Sequence, residues 1–179
     1  MPALIEAISS LHSKFLVPHI LVTSVHFGVG KNQWSLVGSS MRTDGSPRLF
    51  KIEFPALDCF FSGSGDLLAS LMVVNFRQLV LAAGTANTKS WMSPDEVEAL
   101  HLPLAKAAER ALASTQAILQ ETMRQREKEL DNIKGVLERE HESEERVHVR
   151  TTKAAELRLV QNVHLLREPG ISFHAEAVI

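Results

Sequence analysis

Apolar side chains at Leu4, Ile5, Ile8, Leu11 and Phe15 recur at helical spacing and predict a helix over residues 3–16, ended by Pro18. His19–Val25 is short, apolar and β-branched, the pattern of a buried strand. A helix feeding directly into such a strand is the second half of a βαβ unit. A parallel sheet is therefore expected, with its opening strand outside this sequence and an unpaired strand edge where it belongs. Trp34–Val37 and Leu49–Phe54 predict two more strands. The Gly-, Ser- and Pro-rich stretch Gly38–Pro47 is expected as a hairpin loop between them.

Asp58-Cys-Phe-Phe61 runs into Ser62-Gly-Ser-Gly-Asp66, and apolar residues then follow almost without a break to Phe76. That predicts a buried helix to about Ala83, stopped by Gly84. Ser93-Pro-Asp-Glu96 has the form of a helix N-terminus: a capping serine, a proline at the first helical position, acids in the first turn. Helix is expected from there to about Arg139. Leu119, Met123, Leu130, Ile133 and Leu137 form a seam too short for a coiled coil, so an amphipathic helix docked on the domain is expected. Glu138–Arg150 is densely charged and expected to be solvated. Ile171–Val178 alternates and predicts a last strand.

Composition narrows the function classes. The 179 residues are 45% hydrophobic and 22% charged, which is globular rather than disordered. A net charge of −2 gives no basic patch for nucleic acid. Cys59 is the only cysteine, which excludes an intramolecular disulfide and a cysteine-cluster metal site. The start of the chain has no basic segment followed by an apolar one, and no stretch reads as long and apolar enough to span a bilayer. A cytoplasmic protein with no membrane partner is expected.

Chemistry concentrates at Gly63-Ser64-Gly65-Asp66, between an apolar run and an apolar helix. Small residues let a ligand approach the backbone, and a helix N-terminus attracts anions. A carboxylate beside an anion site would repel a phosphate. It makes sense as a general base for a hydroxyl attacking that phosphate, although for these four residues taken alone an ordinary glycine turn capped by Asp66 is the stronger reading. Other motifs fail. A dinucleotide fingerprint needs Gly where Leu68 stands. A P-loop ending at Gly30-Lys31 needs Gly at Val25 and Ser or Thr at Asn32. A nucleophile elbow on Ser64 needs Gly at Ser62 and Asp66. Thr23-Ser24 ends the first strand, where open α/β sheets bind ligands. The eight histidines are scattered without metal-ligand spacing; His19 and His26 read as structural, and Cys59 as a core residue.

The segment Leu49–Met72, with Ser64 in place of the usual Thr of Gly-Thr-Gly-Asp, resembles the active-site segment of pyridoxal kinases of the ribokinase-like superfamily. His19–Ser24 resembles that family's strand ending in Thr-Ser. Glu156–Asn162 and Phe173–Val178 resemble its C-terminus, and the charged segment before Glu156 resembles the extended form of fungal members. The resemblance implies that residues 1–179 are the C-terminal portion of a ribokinase-like α/β domain. It implies a central, mostly parallel sheet flanked by helices, with a charged helical extension at 120–150. It further implies ATP-dependent phosphorylation of the 5′-hydroxyl of pyridoxal, pyridoxine or pyridoxamine, with Mg2+ and a monovalent cation such as K+, in a homodimer when full length. Asp66 would be the base. Gly63, Ser64 and Gly65 would form an anion hole, and Thr23 and Ser24 would contact ATP; no residue is implied as a metal ligand. Two other readings stay open: a non-catalytic fragment binding a nucleotide or a partner, and a ribokinase-like kinase for another small alcohol.

Overall fold

The computed structural model describes residues 1–28, 32–140, 149 and 152–178, with the backbone alone for 132–140. Helix α1 (Pro2–Phe15) matches its periodicity and closes on Leu16 in the left-handed region, φ 54°. Strands β1 (His19–Val25), β2 (Gln33–Met41) and β3 (Pro47–Pro55) follow. Helix α2 (Ser64–Ala82) starts inside the glycine motif. Single 3-10 turns at Lys89–Trp91 and Ala99–His101 lead to α3 (Pro103–Glu140). Short α4 (Val163–Arg167) and β4 (Glu176–Ala177) complete the described chain. Much of the 138–150 segment, and with it the end of the expected 120–150 extension, lies outside the described residues.

The sheet corrects one expectation. Its order is β1-β2-β3-β4 and every pairing is antiparallel, not mostly parallel. The cause is connection length: residues 26–32 and 42–46 are too short for a crossover and can only turn the chain back. The sheet still has helices on both faces. Ile8 of α1 packs with Ile20 and Val37 on one face. On the other, Leu36, Phe50 and Ile52 meet Met72 of α2 and Leu104, Ala108 and Leu112 of α3. Neighbouring β2 residues Leu36 and Val37 enter opposite cores, the period-two alternation of a strand covered on both sides.

β2 also runs further than expected and takes in Gly38, Ser39 and Ser40, residues typical of a loop. Tertiary contacts hold them extended. Gly38 pairs with Phe50, whose ring lies where a Cβ would stand, 2.1 Å from Cζ. The hydroxyls of Ser39 and Ser40 meet His12 Nε2 at 2.7 Å and His19 Nδ1 at 2.9 Å.

The Ser93–Glu96 signal is a turn, and α3 begins only at Pro103. Buried Arg48 explains this. Its guanidinium donates to the carbonyls of Pro94 at 2.7 Å, Val97 and Ser93 at 3.1 Å and Met41 at 3.2 Å. The Asp95 carboxylate accepts from the Thr43 N–H at 3.0 Å instead of capping its own helix. With these carbonyls turned onto Arg48 the segment closes as a tight turn, Val97 N–H on Pro94 O at 3.1 Å, and the helix starts later.

Helix α2 is only half buried. Leu67, Met72 and Val80 are covered, whereas Val73, Val74 and Leu81 are exposed. By length and composition it is apolar enough to cross a membrane, which corrects the reading that no stretch is; here it packs along α3. Gly84 ends it as expected, at φ 70° with its N–H on Leu81 O. The final strand is shorter than predicted: Glu176–Ala177 pair with Lys51 and Phe50. Buried Glu109 of α3 anchors the residues before it, accepting the Ala175 N–H at 2.9 Å.

Candidate functional site

The strand β1 carries a bulge. Val22 pairs with Val37 and Val25 with Ser35, so Thr23 and Ser24 share one unit of spacing on the partner strand. Ser24 takes up the extra residue at φ 57°, a left-handed conformation costing a non-glycine residue about 1–3 kcal/mol. Both residues are exposed, on the bulge near the end of the strand.

Opposite them, the chain leaves β3 through residues 56–62 and enters α2. Gly63 makes the turn at φ 81°, and its carbonyl accepts the first helical N–H, from Leu67 at 2.9 Å. The N–H groups of Ser64, Gly65 and Asp66 precede that first bond and have no partner in their own helix. The positive end of the helix dipole is therefore free at this corner. Asp66 stands in the first turn, exposed and without an ion pair among the described residues. A Cβ on Gly65 would meet nothing within 4 Å, so the backbone there is open to a ligand.

A pocket of about 550 Å³ joins the two corners. Ser24 and Ser64 are both on its wall. The rest is largely apolar: Trp34 of β2, Phe54 and Pro55 of β3, Phe61 of the connection and Leu119 of α3. Thr23, Gly63, Gly65 and Asp66 do not line it; the last three sit beside it on the α2 terminus. The structure thus brings one residue from each expected cluster, Ser24 and Ser64, onto one pocket whose remaining lining is largely apolar. This is the form of a small-ligand site, apolar walls with a few convergent polar groups.

Three residues here were not singled out from the sequence as site residues. Gln116 lines the pocket from α3, one turn before Leu119, and its Oε1 is buried without a hydrogen-bond partner. Arg126 reaches across from α3 to Cys59 Sγ, 3.4 Å from its guanidinium. Trp34 stands on the wall from the start of β2. A polar residue on an otherwise apolar helical face is the one sequence signal that picks out Gln116 and Arg126. Cys59 itself is partly exposed on the wall, not a core residue. Among the described residues no group of three His, Cys, Asp or Glu is placed to hold a metal ion.

The Glu156–Asn162 segment closes the back of the corner. A Leu157 methyl lies 3.9 Å from where a Gly63 Cβ would be. Arg158 donates its N–H to Thr122 Oγ1 at 3.3 Å and pairs with Glu129. Asn162 Nδ2 donates to Arg158 O at 2.9 Å and keeps the turn in place. His19 is structural, as read from the sequence. Its Nε2–H donates to Ser90 O at 2.9 Å, Nδ1 accepts from Ser40, and the ring meets Phe76 edge-on at 4.9 Å. Burial, the largest influence, moves its pKa below the ordinary histidine value.

No protein-family model matches the chain, and no curated protein does. Solved structures match its fold. A pyridoxal kinase from Leishmania donovani in complex with ADP superposes with a TM-score of 0.64 at 16% identity, over 100% of this chain and 46% of that one. Plasmodium falciparum PdxK with AMP-PNP and PL gives 0.57 at 16% identity over 99% and 42%. A pyridoxal kinase from Entamoeba histolytica gives 0.53 at 21% identity over 97% and 43%. The chain therefore has the fold of part of a pyridoxal kinase, and spans less than half the length of these structures.

Proposed function

We propose that this chain forms the nucleotide and phosphoryl-transfer portion, residues 1–179, of a pyridoxal kinase-like phosphotransferase. One observation carries the reading: Ser24 and Ser64 converge on a single pocket at the free N-terminus of α2, with the Asp66 carboxylate in its first turn. The reading is supported by a fold likeness to kinases whose structures hold ADP or AMP-PNP.

In this reading the base of ATP occupies the apolar body of the pocket, and the phosphates extend toward Ser24 and the α2 terminus. The backbone N–H groups of Gly63, Ser64 and Gly65 face the transferred phosphoryl group. Preorganised donors backed by a helix dipole stabilise its developing charge without reorganisation. Asp66 accepts the proton of the attacking hydroxyl, the 5′-hydroxyl of pyridoxal or a related vitamer. The phosphorus–oxygen bond to ADP breaks as the bond to that oxygen forms. Thr23, on the bulge next to Ser24, contacts the nucleotide phosphates. Magnesium would come with the nucleotide as its chelate, and no step is assigned to it.

The resemblance implies that the acceptor's pocket belongs in large part to the portion of such kinases that this chain does not span. A second reading follows from that coverage: a module that binds nucleotide without turnover. Calorimetric titration of the purified chain with Mg-ATP, followed by pyridoxal, tests both. ATP binding followed by pyridoxal phosphate formation supports the kinase. ATP binding alone supports the module. Absence of ATP binding refutes both.

A further inference from the structure

A second cavity, of about 520 Å³, lies at the other end of the sheet from the serine pocket. Its walls are Leu16 and Pro18 after α1, Met41 and Thr43 at the β2–β3 turn, and a strap formed by residues 88–94. Met41 lines this cavity and Trp34 the other, roughly 23 Å apart along β2 at about 3.3 Å per residue. The phosphoryl-transfer reading makes no use of it. Most acceptors on its wall are already occupied. Arg48 takes the carbonyls of Met41, Ser93 and Pro94, and His19 takes that of Ser90. Thr88 Oγ1 donates to Met92 O, and backbone N–H groups hold the carbonyls of Pro18, Thr88 and Lys89. The N–H and hydroxyl of Thr43 are spent on Asp95. Left over are the Lys89 ammonium and the hydroxyls of Ser90 and Ser93, without partners among the described residues. Ser93 is only 6% exposed, yet its hydroxyl is not sealed from solvent; the surface it keeps opens into the cavity it lines. So deep a hydroxyl left unpaired is uncommon. The strap is also preformed. Ser90 and Trp91 stand in the left-handed region at φ 53° and 56°, which non-glycine residues keep only where their surroundings hold them. The His19 bond to Ser90 O and the packing of Trp91 on Phe76 and Arg77 do so here.

We infer that this cavity is a second small-molecule site, for a carboxylate carried on an apolar body. A carboxylate only accepts hydrogen bonds, and the groups left free on the wall can all donate. One ammonium, from Lys89, balances one negative charge; a doubly charged phosphate would exceed it. Buried Arg48 below the wall has no carboxylate in ion-pair contact among the described residues and adds to the positive side, while Asp95 is turned onto Thr43. Leu16, Pro18, Met41 and Met92 cover the apolar body, and a ligand without a polar end would leave the Ser93 hydroxyl as unpaired as before. The inference does not depend on nucleotide binding at the serine pocket.

The test titrates the whole chain with 2-naphthoate and with neutral 2-naphthamide, followed by amide chemical shifts in ¹H–¹⁵N spectra. The acid is expected to bind about 5- to 20-fold more tightly, with its shifts at residues 41–43 and 88–93. Lys89→Met should bring the acid to the level of the amide. Ser93→Ala should weaken the acid by about 2- to 10-fold and leave the urea midpoint unchanged, because that hydroxyl holds nothing in the fold. A lower midpoint would make the hydroxyl structural and overturn its role. Failure of the acid to bind, equal binding of acid and amide, or an acid affinity unmoved by Lys89→Met overturns the inference. Shifts confined to Ser24, Trp34 and Ser64 also overturn it, since the acid then occupies the other pocket.

Discussion

Replacing Gly38 by alanine tests the packing that positions β2 against the core. The added Cβ would lie 2.1, 2.5 and 2.8 Å from three carbons of the Phe50 ring, where ordinary contact begins at 3.4 Å. Phe50 is fully buried and is fixed opposite Gly38 by the β2–β3 register, so the ring has no exposed direction in which to retreat. Overpacking of this kind costs about 1–3 kcal/mol. The stiffer unfolded chain returns roughly 0.4–1 kcal/mol. The net expectation is a loss of about 1–2 kcal/mol. In urea, with a slope of about 1–3 kcal/mol/M, the midpoint should fall by roughly 0.5–1.5 M. Phe50→Leu alone removes three buried carbons and should cost about 2 kcal/mol at ~0.8 kcal/mol each. The double variant should cost less than the sum by about 1 kcal/mol, because the methyl enters space the ring has left. Urea unfolding followed by circular dichroism measures all four corners of the cycle. An unshifted midpoint for Gly38→Ala, or strict additivity in the double variant, would refute the argument.

Three other outcomes are expected. In any preparation in which the chain supports turnover, Asp66→Asn should lower kcat by about 10²–10⁴-fold and leave the Kd for ATP within a few-fold; unchanged turnover removes Asp66 from its role. His19 has a folded pKa below its unfolded value of about 6.5, so the unfolded chain holds the extra proton between the two. Its contribution to stability should be complete above pH 6.5 and decline as the pH falls through that window. His19→Gln should flatten that part of a stability–pH curve. Arg48→Met should cost roughly 2–4 kcal/mol, since it strips charge-assisted hydrogen bonds from the carbonyls of Met41, Ser93, Pro94 and Val97. Faster amide exchange confined to residues 93–97 and their neighbours would be its signature, and an unchanged Tm would count against it.

Periodicity revealed the helices and strands whose partners are their own neighbours. The apolar spacing of α1 and the β-branched run of β1 needed no tertiary information. Failures came where a distant side chain decided the local conformation. Gly38, Ser39 and Ser40 have loop chemistry, yet the Phe50 ring and the rings of His12 and His19 hold them in a strand. Ser93–Glu96 has helix-start chemistry, yet Arg48 claims its carbonyls. Strand direction was misread because helix-then-strand order suggests a crossover, and only the brevity of the 26–32 and 42–46 connections argues otherwise. At the site, small residues around a carboxylate marked the α2 corner, and a pair of hydroxyls marked the β1 end. Gln116 and Arg126 stayed hidden because each lies among other polar residues of a long helix. Only the fold shows which way that face looks.

The pairing of β4 with β3 has a consequence for how the chain is made. Phe50 finds its partner in Ala177, and the residues between take about 6 to 25 s to synthesise at 5–20 residues/s. Throughout that interval the outer edge of β3 emerges from the ribosome before the strand that will cover it. An open edge is an invitation to pair with a neighbouring chain. Lys51 and Glu53 lie on that strand and already bond to each other at 2.7 Å; Glu176 joins Lys51 at 3.3 Å once it arrives. The same charges that fasten the last strand can guard its vacant berth during translation, keeping the nascent sheet from recruiting a stranger before its own final residues are available.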